Sequence, residues 1–257
     1  MRRIAGITEG MATRTVAEGT PARSGGRRLR RLSNVLIAVG VIVILYAGVI
    51  LAWGDPITWL WAHWQQRALT HQFHDEQKLF EHQAPPPNNA DALVAIRADA
   101  IEFRRTLKEG NAFGRLTIGR IGLSKVVVVQ GTTAGIDADL SKGPGHYMNT
   151  SFPGMGSTVA IAGHRTTYGA WFRNIDSIRN GDAIDLEMPY ATFHYRVQIH
   201  QVVPNTDWGI IKPQGYERLV LSACHPLYSA SHRWVVFARA ISVTLPGPHG
   251  RTIPLPT

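Results

Sequence analysis

One uncharged apolar segment, Val35 to Trp53, limits what the rest of this chain can fold into. Its 19 residues are rich in Val, Ile, Leu, Ala and Gly. As a helix rising about 1.5 Å per residue they would reach roughly 28 Å, close to the ~30 Å hydrocarbon core of a bilayer. The sequence therefore predicts a transmembrane helix over residues 34–54. A cleaved signal peptide is the alternative, but the run is longer than a usual signal core and no Ala-x-Ala site follows it.

The formal net charge of +9 comes mostly from the residues before this segment. Residues 1–33 contain eight arginines and two glutamates, a net +6, which leaves +3 for the other 224 residues. A basic segment of this kind beside an apolar helix predicts a disordered cytoplasmic tail, because positive residues stay inside and attract anionic lipid. We therefore expect the chain after the helix to lie outside the cell. We expect no nucleic acid partner, since the excess charge is not on the folded part.

The remaining sequence divides into a helical region and a β-rich region. Residues 55–111 are predicted to form a juxtamembrane helix, a Pro-rich linker and a short helix from Asp91, its expected N-cap, to Leu107. Residues 112–245 have the texture of short β-strands separated by turns, and residues 246–257 form a Pro-rich tail. Seven or eight short strands with two small helices predict an all-β domain, a closed or nearly closed barrel.

Within the β-rich region the element boundaries can be predicted in outline. Gly131 to Leu140 is expected to form a short helix, Phe172 to Arg179 one or two helical turns, and Gly143 to Tyr147 a connection. Strands are predicted over Gly114–Leu123, Lys125–Gln130, Thr158–Ala162, Ala183–Glu187, Ala191–Val203, Arg218–Cys224 and Arg233–Val243.

The one cysteine of the chain, Cys224, ends the apolar strand that begins at Arg218. Because side chains alternate along a strand, the thiol is expected on the face opposite Ala223. Arg233 begins the next strand after an eight-residue loop, which can bring its guanidinium within a few ångströms of the thiol. His164 ends another predicted strand, directly after a glycine that lets a substrate backbone approach.

These three residue types together suit nucleophilic attack on a peptide carbonyl. A free thiol is mostly protonated at neutral pH, and neighbouring cationic imidazole and guanidinium groups favour the thiolate. Arg233 keeps its charge and offers several donors for a tetrahedral oxyanion or for the substrate backbone. His164 would protonate the leaving amine and then deprotonate the incoming nucleophile, so the expected intermediate is a thioester on Cys224. We predict neither a metal nor a cofactor.

The residues around this trio resemble the sortase family, and within it the class E sortases of high-GC Gram-positive bacteria. The matching segments are Gly143-Pro144-Gly145-His146-Tyr147, Ala162-Gly163-His164-Arg165-Thr166-Thr167-Tyr168-Gly169, and Leu221-Ser222-Ala223-Cys224-His225-Pro226 followed by Arg233. The resemblance covers roughly residues 112–243 and keeps the order His, Cys, Arg. A cytoplasmic tail followed by one membrane anchor also agrees with the family's topology.

What the resemblance implies is a cysteine transpeptidase on an eight-stranded β-barrel, with Cys224 as nucleophile, His164 as general acid and base, and Arg233 as the oxyanion or substrate arginine. Such enzymes cleave a C-terminal sorting signal between Thr and Gly, either Leu-Pro-x-Thr-Gly or, in class E, Leu-Ala-x-Thr-Gly. They pass the acyl group to an amine, usually of a peptidoglycan precursor of the lipid II type. The expected partners are therefore surface proteins with a sorting signal, the precursor amine and the membrane.

The cysteine strand departs from the family pattern. The family favours Thr-Leu-Thr-Thr-Cys or a near variant, whereas this chain has Val-Leu-Ser-Ala-Cys, which keeps one hydroxyl and loses two. Ser222 and Ala223 are expected to contact substrate near the scissile bond. Tyr147 either lines the pocket for the second residue of the signal or is a core or turn residue. The departure concerns the preferred sorting motif more than the reaction.

Other side chains compete for two of the three roles: His146, His225 and His232 for the imidazole, and Arg165 and Arg173 for the guanidinium. Two other functions compete as well, a non-catalytic sortase-like barrel that binds surface proteins and another cell-wall cysteine peptidase or transpeptidase. L,D-transpeptidase-like and papain-like enzymes arrange their cysteine and histidine differently along the chain. No calcium pattern is clear, although Asp182, Asp185 and Glu187 could cluster in space.

Overall fold

The protein is described here from a computed structural model, which covers residues 25–53, 55–80, 86–135, 138–247 and 250–256. The chain divides into two compact units, Met1–Gly48 and Val49–Thr257. Most of the predicted basic tail, residues 1–24, lies outside the described residues, whereas residues 25–33 begin a helix.

Helix α1, Gly25–Trp53, contains the apolar segment. Its stretch Arg28–Ile50 is long and apolar enough to cross a membrane, and none of its most apolar window is buried inside the protein. No second helix in the described part of the chain meets that criterion. A helix that is apolar on all sides and not covered by protein suits a lipid environment.

Two further helices precede the strands, α2 over Pro56–Phe80 and α3 over Asn89–Thr106. Asn88 is the N-cap of α3, because its side-chain oxygen accepts the Asp91 amide at 2.9 Å. The prediction of Asp91 as the N-cap was therefore wrong. An aspartate also suits the first helical turn, where its carboxylate lies near the positive end of the helix dipole.

The strands form one sheet, and eight of them close into a barrel. In chain order they are β1 Ala112–Ile118, β2 Leu123–Gln130, β3 Gly145–His146, β4 Thr158–Gly163, β5 Ala183–Glu187, β6 Thr192–Pro204, β7 Arg218–His225, β8 His232–Thr244 and β9 Thr252–Pro254. Their spatial order is β6-β5-β1-β2-β3-β4-β7-β8-β9, and β6 also pairs with β8. The predicted eight-stranded barrel is confirmed, and β9 adds to β8 outside the closed ring.

Several segments of the barrel differ from their sequence predictions. The strand expected over Gly114–Leu123 ends at Ile118 and is followed by a 3₁₀ turn over Gly119–Ile121. The helix expected over residues 131–140 is reduced to α4, Asp139–Lys142, and residues 136–137 lie outside the described chain. Thr133 donates its hydroxyl to the Asp139 carboxylate at 2.6 Å, which holds the preceding segment as a loop. The expected connection at residues 145–146 forms β3, which pairs with both β2 and β4.

Helix α2 packs against β1 and β2 through apolar and amide side chains. Gln66 accepts the Val127 amide at 2.7 Å and donates to the Val127 carbonyl at 2.8 Å. Gln72 accepts the Ala112 amide at 3.1 Å. Side chains buried on the same helix are Ala62, Leu69 and Phe73. Helix α2 is therefore an integral part of the barrel unit.

Strand β7 lies between β4 and β8 and is apolar on both faces. Leu219, Leu221 and Ala223 belong to the main core inside the barrel, whereas Val220 belongs to a second cluster on the outer face. The other members of that outer cluster are Ala160, Val203, Ile210, Val235 and Phe237. The predicted alternation along this strand is confirmed, and it directs Cys224 to the outer face.

Candidate active site

Cys224 and Arg233 lie directly opposite each other on neighbouring antiparallel strands. The register of β7 and β8 pairs Cys224 with Arg233, as it pairs Ala223 with Trp234. Residues opposite each other in an antiparallel pair have side chains on the same face, with Cα atoms about 4.5–5.5 Å apart. The thiol is free and partly buried, so it is shielded but still accessible.

His164 reaches the same edge from the other side of β7. Strand β4 is parallel to β7 and pairs Gly163 with Ala223, so the next residue along each strand is His164 and Cys224. A Cβ on Gly163 would lie 2.6 Å from the Phe172 ring, so this strand end tolerates only glycine without a shift. Alternation then directs His164 to the outer face, the face of the thiol. The structure thus brings the imidazole, thiol and guanidinium residues to one end of three adjacent strands.

The imidazole of His164 is partly buried and is not held by a hydrogen bond among the described residues. Its Nε2 atom has no hydrogen-bond partner among the described residues, and its ring centroid lies 5.6 Å from that of Tyr168. Burial lowers the pKa of His164 below its ordinary value, because the charged imidazolium is desolvated. The neutral imidazole therefore predominates at neutral pH, and Nε2 remains available for a proton or a substrate group.

The guanidinium of Arg233 is held by main-chain carbonyls of the loop that precedes it. Nη1 donates to the Ala230 carbonyl at 3.0 Å and to the His232 carbonyl at 3.1 Å. No carboxylate pairs with Arg233 in the part of the chain that the structure describes. Its charge is therefore not neutralised by a described acid, and the donors on its other nitrogens can face an anionic oxygen.

The predicted substrate residues separate into two groups. The Tyr147 hydroxyl and Ser222 Oγ are 3.1 Å apart, and Tyr147 packs against the outer cluster. Both therefore lie on the face that carries the thiol, and their mutual hydrogen bond couples β7 to the segment after β3. The side chain of Ala223 is 3% exposed and lies in the barrel core, so only its main chain can reach a substrate on the outer face.

The competing histidines occupy different environments. His146 is fully buried, stacks on Phe113 with ring centroids 4.0 Å apart, and has its pKa lowered to about 3 by burial. His232 is exposed and hydrogen-bonds Ser231 at 3.0 Å. His225 follows the thiol along β7 and lies 5.5 Å from the Trp234 ring. Of the four candidates, His164 is the one next to Cys224 in the β4–β7 register.

Arg165 has a structural contact that sequence reasoning missed. Its side chain is buried, its Nη2 lies 2.5 Å from an Asp176 oxygen, and its Nε donates to the Arg173 carbonyl at 3.0 Å. Nη1 donates to the Cys224 carbonyl at 3.4 Å. Arg165 therefore braces the strand end that carries the thiol. The Gly-His-Arg motif drew attention to Arg165 in the sequence. Its contact with the Cys224 carbonyl could not be predicted from the motif, because that carbonyl belongs to a strand distant in sequence.

The acidic residues considered for calcium do not gather. Asp182 pairs with Arg120 at 2.9 Å, Asp185 pairs with His194 at 2.7 Å, and Glu187 pairs with Arg115. Each carboxylate thus has its own partner. Among the residues that the structure describes, no group of three or more His, Cys, Asp or Glu side chains forms a potential metal site.

Comparison with known proteins gives one consistent result. Residues 116–241 match the family model for the sortase domain. Sortase D of Bacillus subtilis (strain 168) is 31% identical over 137 residues, which cover 52% of this chain and 66% of that protein. Sortase SrtE2 of Streptomyces coelicolor is 31% identical over 93 residues, covering 32% of this chain and 36% of that protein. A Clostridium perfringens sortase D5 transpeptidase shares the fold, with a TM-score of 0.54 at 21% identity over 69% of this chain and 98% of that one.

The closed barrel brings a free thiol, an imidazole and a guanidinium to adjacent strand ends. Residues 116–241 of the chain form a sortase domain by their match to the family model, and the chain is similar to sortases over this region. It spans just under two thirds of the length of the first relative, 66%, and about a third of the second, 36%.

Proposed function

We propose that this protein is a membrane-anchored sortase that cleaves a C-terminal sorting signal between Thr and Gly. The signal would be of the Leu-Pro-x-Thr-Gly or Leu-Ala-x-Thr-Gly type, and the acyl group would pass to an amine of a peptidoglycan precursor. The observation that carries the proposal is the placement of Cys224 opposite Arg233 and beside His164 on one barrel face.

The proposed reaction has two halves. The neutral His164 takes the proton of the Cys224 thiol as the sulfur attacks the Thr carbonyl carbon, and Arg233 stabilises the resulting oxyanion. The C–N bond breaks as His164 delivers a proton to the departing glycine amine, which leaves a thioester on Cys224. In the second half His164, now neutral, takes a proton from the incoming amine as its nitrogen attacks the thioester carbonyl. The C–S bond breaks as the new amide forms, and His164 returns the proton to the Cys224 sulfur.

The outer face of β4, β7 and β8 supports binding of an extended peptide. Its apolar cluster supplies a surface beside the thiol, and the hydrogen-bonded pair Tyr147 and Ser222 lies on the same face. The relatives include proteins named for both class D and class E. The choice between Pro and Ala at the second position of the signal is therefore a question for direct competition between the two peptides.

The proposed topology places the N-terminus in the cytoplasm and the barrel outside. Helix α1 supplies one candidate span, and the arginines lie on its N-terminal side. The positive-inside rule then orients the chain. A cysteine-specific, membrane-impermeant reagent applied to intact cells tests this, because Cys224 is the one thiol of the chain. Labelling only after cell lysis would contradict the orientation.

The function is tested with the full chain in detergent micelles and both signal peptides. We expect an intact-mass adduct on Cys224 equal to the peptide up to its Thr, and its transfer to an added amine. No adduct combined with an unreactive thiol would favour a non-catalytic binding barrel. No adduct on a thiol that still reacts with iodoacetamide would contradict both proposed signals.

A further inference from the structure

The first turn of α2 contacts the loop that follows His164. The Tyr168 amide donates a 2.9 Å hydrogen bond to the Thr58 hydroxyl oxygen, across 110 residues of sequence. The same hydroxyl donates to the Asp55 carbonyl at 3.4 Å, so its hydrogen is occupied within the helix and its lone pair faces the loop. A helix that precedes the barrel in sequence is therefore joined to the segment directly after the candidate general acid and base.

That loop has an unfavourable backbone. Tyr168, Gly169 and Ala170 have φ angles of +49°, +81° and +45°, which side-chain-bearing residues rarely adopt. Such a conformation persists only where the surrounding contacts hold it. The Phe172 amide closes the base of the loop on the His164 carbonyl at 3.0 Å. At the tip, the Tyr168 amide bonds Thr58.

A second contact holds the other side of the loop. The His63 ring lies 4.9 Å from the Trp171 ring and 3.8 Å from the Trp59 ring, centroid to centroid. His63 also donates from Nδ1 to the Trp59 carbonyl at 2.8 Å, which fixes its orientation on the helix. Helix α2 thus contacts the loop on either side of Gly169, at Tyr168 through Thr58 and at Trp171 through His63.

The loop in turn packs on the imidazole. The Tyr168 ring lies 5.6 Å from the His164 ring, and His164 has no side-chain hydrogen bond to fix it among the described residues. Packing by Tyr168 therefore restrains the orientation of the imidazole. A loop tip released from Thr58 would loosen that restraint.

We propose that Thr58 is a positioning residue for His164, acting through the Tyr168 main chain and ring. The proposal rests on the proposed role of His164. The rest of α2 does not need this contact to stay in place, because Gln66 and Gln72 bind it to β2 and β1. Loss of the Thr58 hydroxyl should consequently free the loop and leave the helix docked.

The test compares Thr58→Val, Thr58→Ser and Thr70→Val in the full chain in detergent micelles. Thr58→Val removes the acceptor at nearly constant volume, and Thr58→Ser retains it. Thr70→Val is the matched control, since the Thr70 hydroxyl donates to the Gln66 carbonyl within α2 at 2.7 Å and, among the described residues, to no other element. The readouts are kcat and KM for the sorting peptide, the pH profile of Cys224 alkylation, and hydrogen exchange over residues 165–172.

For Thr58→Val we expect about a two- to tenfold lower kcat with little change in KM, the range for one lost hydrogen bond. We also expect a shifted alkylation profile and faster exchange in the loop. Thr58→Ser and Thr70→Val should match the unmodified protein. Unchanged kcat, profile and exchange in Thr58→Val, or equal effects in Thr70→Val, would overturn the proposal.

Alkylation and exchange need no substrate, so they separate this inference from the proposed function. If the unmodified protein forms no thioester, the sorting function fails. A loop that still loosens in Thr58→Val, with an altered alkylation profile, would nevertheless support the positioning role. A loop that loosens with no change in thiol reactivity would overturn it, because the contact would then be structural only.

Discussion

The two ends of strand β7 differ in how far their polar groups are hydrogen-bonded. At its start, Arg218 is buried and donates to the carbonyls of Ile210 at 2.8 Å and Lys212 at 3.0 Å. The neighbouring Glu217 accepts the amides of Gly154 at 3.0 Å and Gly156 at 2.8 Å. At its other end, about 20 Å away at some 3.3 Å per residue, the thiol is free, and the imidazole beside it has no hydrogen-bond partner on Nε2 within the described part of the chain.

This difference indicates that the start of β7 contributes to stability, whereas its end at Cys224 is available for chemistry. Buried polar groups are normally satisfied, so an unsatisfied cluster calls for a functional reason. The start of β7 also borders a cavity of about 560 Å³ whose lining includes Glu217, Arg97 and Arg239 beside apolar side chains, and no predicted site residue lines it. Unpaired reactive groups point to the end at Cys224.

The largest expected effect is at the unsatisfied end. Cys224→Ala removes the sulfur that would carry the acyl group, so we expect loss of turnover and of the mass adduct. Peptide binding, measured by fluorescence anisotropy, should persist because the outer apolar face is unchanged. Residual transpeptidation above the rate without enzyme would show that another group acts as the nucleophile.

Arg233→Ala should lower kcat/KM by about 10²-fold or more if the guanidinium stabilises the oxyanion. Arg233→Lys is the matched control, since it keeps the charge but loses the planar fork, and it should recover only part of the rate. Single-turnover thioester formation is the measurement. A rate for Arg233→Ala within a few-fold of the unmodified protein would remove this assignment.

At the satisfied end, Glu217→Gln should change stability and leave catalysis unaltered. Burial raises the pKa of Glu217 to about 7 from 4.5, so the folded state holds its proton more tightly than the unfolded state. The stability from this proton is complete below about pH 4.5 and is lost as pH rises to about 7. Glutamine does not titrate, so the variant does not lose this contribution to stability as the pH rises.

The measurement therefore compares the stability difference between the variant and the unmodified protein at two pH values. The free energy of unfolding of Glu217→Gln, taken relative to that of the unmodified protein, should be higher at pH 8 than at pH 5. The increase should be about 1 to 3 kcal/mol at most. Thermal unfolding at both pH values gives this quantity, and titration of His146 cancels because both proteins contain it. An equal difference at the two pH values would show that Glu217 does not titrate abnormally.

The smallest effect concerns the pH at which deacylation slows. Burial lowers the pKa of His164 from 6.5, so the neutral base persists to lower pH than in an exposed histidine. With water as the acceptor, thioester hydrolysis should fall with a midpoint below pH 6.5. His164→Asn should abolish this acidic limb. A midpoint at or above 6.5 would contradict a buried imidazole as the base.

The sequence predicted the unsatisfied end of β7 better than the rest of the fold. The spacing from Cys224 to Arg233 with apolar strands on both sides predicted a hairpin, and the register confirms it. Strand alternation separated Cys224 from Ala223 because its two-residue period depends only on local geometry. The fold class followed from the same short-range patterns.

Contacts between distant segments were not predictable in the same way. The glutamines of α2 that bind β1 and β2, and Thr58 on Tyr168, are polar residues that a local pattern assigns to solvent. The short strand β3 has only two residues, too few for a periodic signal. The carbonyl of Cys224 bound by Arg165 depends on the packing of β4 beside β7. Each of these features arises from tertiary neighbours.

The cross-strand pairing of Cys224 with Arg233 has a consequence for how such a protein can change. Because the ladder of β7 and β8 fixes the backbones of both residues, the intervening loop over residues 226–231 is not needed to set their separation. An insertion in that loop leaves the pair intact, whereas an insertion of one residue inside either strand turns one partner to the opposite face. The loop can thus vary in length without changing the backbone pairing of Cys224 with Arg233, provided that the Ala230 carbonyl, which accepts a hydrogen bond from the Arg233 guanidinium, keeps its place.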